Sequence, residues 1–138
     1  NQAIDRIINF FPEERRQQLL MDLSLNLKAV VSQRLIPVKE GKGRAAAGEV
    51  LLNSPLIADL IFKGEIHSIK EIMKKSKELG MKTFDMALFD LFEEGRIIYD
   101  DALLFADSMY EVRLMIKLHS KQSQDMDRNS GIQHLDIV

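Results

Sequence analysis

The chain has 138 residues, is 46% hydrophobic and 29% charged, and carries a formal net charge of −2, a balance that fits one soluble folded domain or a large piece of one and argues against wholesale disorder. It has no Cys, which excludes disulfides, thiolate nucleophiles and Cys-bound metals. The slight acidity and the lack of Trp give general nucleic-acid binding no support.

In chain order, Ile4, Ile7, Ile8 and Phe11 stand at helical spacing, and Asn1 to Phe11 reads as the closing stretch of an amphipathic helix. This pattern opens in mid-course, and the chain reads as a fragment of something longer. Pro12 interrupts the pattern and suits the first turn of a second helix, with Glu13 and Glu14 favoured by the helix dipole. That helix is expected to run to about Val31 on a stripe of Leu19, Leu20, Leu23, Leu27, Val30 and Val31. The period then shortens. Gln33 to Lys39 and Arg44 to Leu52 read as two strands around the turn Glu40-Gly41-Lys42-Gly43, with Ala45 to Ala47 weakening the second strand.

From Asn53 the pattern is helical. Ser54-Pro55 is an N-cap with Pro at the first helical position, and Gly64 closes that short helix. Ile66 to Leu79 reads as one helix ended by a left-handed Gly80. Thr83 is expected to cap a helix running to Gly95, and Asp100 to cap the next. Ser108 and Glu111 have capping-box spacing and start another, carrying Val112, Met115 and Ile116. Beyond His119 the composition turns polar, and 123–138 reads as a tail. No apolar run approaches the ~20 residues that span a bilayer, and no signal peptide is evident at the start. The fold class is mostly α with one β-hairpin.

Candidate chemistry is sparse. Gly41-Lys42 is followed by Gly43 rather than Ser or Thr, so the glycines there read as a hairpin turn and not as a phosphate loop. His67 and Glu71 stand one helical turn apart, but two ligands make no metal site, and none is expected. Asp85, Asp90, Glu93 and Glu94 cluster without a sign of a cleft, and no catalytic residue is assigned. Lys70, Lys74, Lys75, Lys77 and Lys82 read as a solvated face, or alternatively as a patch for an acidic partner or anionic lipid headgroups. The helix Leu56-Ile57-Ala58-Asp59-Leu60-Ile61-Phe62 is apolar nearly all round, which implies burial in a core or under another subunit.

Four ordered stretches carry a family resemblance. They are Ala3 to Ile8 with Phe11-Pro12; Leu27 to Leu35 with Gly43-Arg44 and Glu49; Ser54-Pro55 with the apolar helix; and Gly80-Met81-Lys82-Thr83-Phe84-Asp85 with Leu88 and Gly95. Together they resemble the type IV pilus retraction ATPases, the PilT and PilU family of the secretion ATPases. The run from Leu56 to Glu65 is similar to the PilU branch. In the PilT branch the equivalent helix carries two arginines, whose positions match Ala58 and Phe62 here.

The resemblance implies the C-terminal part of a RecA-like P-loop ATPase domain at 1–53 and its helical subdomain at 54–122. It implies a hexameric parent that binds ATP and Mg through residues upstream, drives pilus retraction and twitching motility, and leaves this fragment inactive alone with no cofactor of its own. Other motor subunits, a PilT-like motor and the inner-membrane platform protein would be partners, at the cytoplasmic face of the inner membrane, with no nucleic acid. Leu56, Ile57, Asp59, Leu60, Ile61 and Phe62 would form the contact surface, and Arg6 would lie nearest the nucleotide edge. The rival reading is a free-standing helical interaction module.

Overall fold

Local punctuation sets most element boundaries in the computed structural model, which describes residues 2–121. The order is α1 (Gln2–Asn9), α2 (Glu13–Asn26), β1 (Ala29–Pro37), β2 (Arg44–Leu52), α3 (Pro55–Phe62), α4 (Ile69–Lys75), α5 (Phe84–Glu93), α6 (Tyr99–Leu104) and α7 (Met109–His119). β1 and β2 form a two-stranded antiparallel hairpin, so the expected class, mostly helical with one hairpin, is the observed one. The tail expected over 123–138 lies outside the described residues.

Several local signals act as their chemistry dictates. The Ser54 hydroxyl accepts from the Ile57 N–H at 3.4 Å, and the Ser108 hydroxyl accepts from the Glu111 N–H at 3.3 Å. Gly64 and Gly80 close their helical segments with φ of 73° and 89°, a region closed to most L side chains.

Three expectations need correction. α2 stops at Asn26, five residues short of Val31. There the Asn53 amide donates to the carbonyls of Ser24 at 3.0 Å and Leu27 at 2.8 Å, satisfying the helix end, and Leu27 turns out to ψ 134°. The β-branched Val30 and Val31 then continue as strand, so β1 starts at Ala29 rather than Gln33. Second, the stretch from Ile66 to Leu79 is three pieces. A 3-10 turn at Ile66–Ser68, α4 and a second 3-10 turn at Lys77–Leu79 are divided at Ser76, which leaves the helical region at φ −115°, ψ 32°. The tighter path delivers Met81 to the core and lets Lys82 exchange backbone hydrogen bonds with Val50 at 2.8 and 2.9 Å. Third, Asp100 is not a cap. Ile98 holds that position, and Asp100 and Asp101 sit in the first turn of α6, where the dipole favours them.

The chain forms two compact units, and the hairpin gives its base to one and its tip to the other. The first unit takes the chain up to Gln33 with Gly48–Thr83. Its core gathers Ile4, Leu51, Ile57, Ile61, Ile69 and Met73, all fully buried. The second takes Arg34–Ala47 and the chain from Phe84 onward. Its core sets Ile36, Ala45 and Ala47 from the hairpin against Leu88, Ile97 and Val112. Ala45 and Ala47 therefore serve their strand: in a tightly packed core a small side chain outweighs weak β-propensity.

Candidate functional site

Within the first unit, α3 is built by the Ser54 cap, Pro55 at the first helical position and the stop at Gly64. Its eight residues divide into two faces. Ile57, Leu60 and Ile61 turn inward beside Leu20 and Leu23 of α2 and are buried. Each such burial contributes about 1.5–3 kcal/mol relative to exposure. Leu56, Asp59 and Phe62 turn outward at helical spacing. Leu56 stays 51% exposed and Phe62 58% exposed, so two large apolar side chains lack cover among the described residues.

Between them the Asp59 carboxylate accepts from the Lys63 amine at 2.7 Å. That hydrogen bond, and then the charge of Asp59, holds the Lys63 amine above the ordinary lysine range. The outer face is thus an apolar pair around one solvated ion pair. It offers shape and greasy surface for docking and no group placed for bond-making. Of the two positions matched to arginines in the resemblance, Phe62 lies on this face and Ala58 is half-buried at its flank.

The remaining candidates are dispersed. Arg6 lies exposed on α1, without an ion pair among the described residues. His67 is exposed, and the Glu71 carboxylate is taken by Lys74 at 2.9 Å. That hydrogen bond, then the Lys74 charge, lowers the Glu71 pKa. Among the described residues no group of three His, Cys, Asp or Glu could hold a metal. The Gly41–Gly43 segment is a hairpin turn, with the Val38 N–H donating to the Gly43 carbonyl at 3.2 Å.

Asp85 departs from the acidic surface cluster suggested by its neighbours. It is 1% exposed, and its carboxylate accepts from the N–H groups of Asp107 at 2.8 Å and Ser108 at 3.2 Å. Beside it, Arg34 pairs with Asp107 at 2.7 Å, donates to the Phe105 carbonyl at 3.0 Å and stacks 4.1 Å over the Phe84 ring. Sequence reasoning missed this cluster. The Arg34 partners lie 71 and 73 positions away and the Asp85 partners 22 and 23, and no local pattern carries such contacts.

No family model matches the chain. Among curated proteins it is 59% identical over 125 residues to the type IV pilus ATPase PilU of Pseudomonas aeruginosa, a match covering 91% of this chain and 33% of that protein. It is 36% identical over 100 residues to the retraction ATPase PilT of the same organism, covering 72% and 29%. A twitching motility protein of Neisseria gonorrhoeae is 34% identical over 95 residues, covering 69% and 25%. Among solved structures, the pilus retraction motor PilT with bound ADP superposes with a TM-score of 0.71 at 29% identity, covering 83% of this chain and 31% of that one. The chain therefore spans a quarter to a third of the length of these curated relatives.

Proposed function

Because the chain belongs to the type IV pilus retraction ATPase family, we propose that it is the force-coupling part of a PilU-like motor. The observation that carries this reading is the 59% identity to PilU across 91% of the chain. On this reading residues 1–53 close the ATPase domain and 54–122 form its helical subdomain. ATP and Mg are bound by other parts of the full-length protein, and their turnover drives the movement of this stretch. Its own residues supply no nucleotide step: the Gly41-Lys42-Gly43 turn lacks the hydroxyl that a phosphate loop presents to Mg, and phosphoryl transfer rests on positioned cations and such a loop.

The outward face of α3, with Leu56, Asp59 and Phe62, is then the surface through which that movement reaches a partner. The partners are the other subunits of a hexameric ring, a PilT-like motor and the inner-membrane platform protein, at the cytoplasmic face of the inner membrane. The face suits contact because it is apolar, exposed and mounted on a helix whose inner side is locked in a core.

The test is Leu56→Ser with Phe62→Ser in the full-length protein, scored for twitching and for ATP turnover. Loss of twitching with ATP turnover and cellular abundance retained is the expected result. Normal twitching would remove α3 from the coupling path. Both side chains are more than half exposed, so the change should move stability by no more than about 0.5 kcal/mol.

A further inference from the structure

α7, in the second unit, also has two unlike sides. Val112 and Ile116 turn into the core. On the other side Tyr110, Leu114 and Leu118 follow at intervals of four, 72%, 40% and 56% exposed. Beside that line stand Arg113 and Lys117, exposed and four apart, and the exposed Lys121 follows just past the extended Ser120 that ends the helix.

None of these three cations has an ion pair among the described residues. The Arg113 guanidinium donates only to the Met109 sulfur at 3.7 Å. Lys121 gives its backbone N–H, not its amine, to Glu93. The nearby carboxylates are engaged elsewhere: Asp107 by Arg34, Glu93 by the Ser120 hydroxyl, Asp85 by two N–H groups. Glu111 is half-buried and has partners of its own.

We propose that this face of α7 is a docking surface for an anionic lipid headgroup layer. Along α7, about 16 Å at 1.5 Å per residue, the apolar line runs from Tyr110 to Leu118 with Arg113 and Lys117 beside it and Lys121 just past its end. That is the layout of a helix lying in the plane of a membrane surface. Its apolar side chains enter the headgroup boundary while lysine and arginine stems reach the phosphates. No fully exposed acidic side chain interrupts the two lines. The charge excess, three unpaired cations in a chain of net charge −2, is local and matches an anionic sheet. The proposal shares no residue with α3 and needs no motor activity, so it stands or falls apart from the coupling reading.

The test is co-sedimentation of the full 138-residue chain with phosphatidylcholine vesicles, with and without phosphatidylglycerol. Binding is expected only with phosphatidylglycerol and should weaken as salt rises. Arg113→Gln with Lys117→Gln should lower the partition coefficient at least about tenfold. Leu114→Ser with Leu118→Ser should also lower it. Circular dichroism checks that helix content holds in both variants. No binding to anionic vesicles, equal binding to neutral ones, or binding untouched in both folded variants would overturn the proposal. Binding that emerges only after residues 122–138 are removed would overturn it too, assigning the face to that segment of the chain.

Discussion

The Asp59–Lys63 pair sets the electrostatics of the α3 face. The Lys63 pKa is raised in the folded chain by the Asp59 hydrogen bond and charge. Any stability from the pair is therefore full below the ordinary lysine pKa and is lost as pH rises through the raised value. Glu71 has the opposite sign: its pKa is lowered by Lys74, so its contribution is present above the ordinary glutamate pKa and fades as pH falls through the lowered one. Both groups are fully solvated, so screening keeps either effect small. Asp59→Asn should return the Lys63 amine toward its ordinary titration, read by NMR of the side-chain nitrogen, without a measurable change in Tm. An unaltered Lys63 titration would mean that the pair does not persist in solution.

At the scale of elements, Asp85 is the side chain that seats the start of α7. Two backbone N–H groups at that start, those of Asp107 and Ser108, end on its buried carboxylate. Removing the acceptor takes away two hydrogen bonds to a charged group, each worth about 1.5–3 kcal/mol. Asp85→Ala should accordingly lower the unfolding free energy by at least about 2 kcal/mol in urea titration. A loss under about 0.5 kcal/mol, the range of an ordinary surface change, would show that solvent replaces the carboxylate.

How well elements could be read ahead follows from the range of their causes. The caps at Ser54 and Ser108 and the stops at Gly64 and Gly80 are decided within four residues, and the sequence displays them. The end of α2 depends on Asn53, and the break at Ser76 on the Lys82–Val50 pairing; neither partner is near in sequence. Likewise the apolar run in α3 implies burial without telling which side is covered. Only the packing on α2 separates the outward Leu56 and Phe62 from the inward Ile57, Leu60 and Ile61. Ala58 and Phe62 were singled out by resemblance alone, and nothing in periodicity distinguishes them.

At the scale of the whole molecule, the chain is two compact units threaded by one hairpin. No helix among the described residues is long and apolar enough to cross a membrane. The relatives are three to four times longer than the matched stretch. On the function proposed above, the nucleotide machinery lies elsewhere in the full-length protein and this part makes contacts. The measurement that tests this most directly is the coding sequence upstream of Asn1. A phosphate loop, two acidic boxes and a histidine box, in frame within about 250 residues, the span of an ordinary domain, is the result the account predicts. A start codon just upstream, with none of these motifs, would contradict it and make the chain an independent binding module.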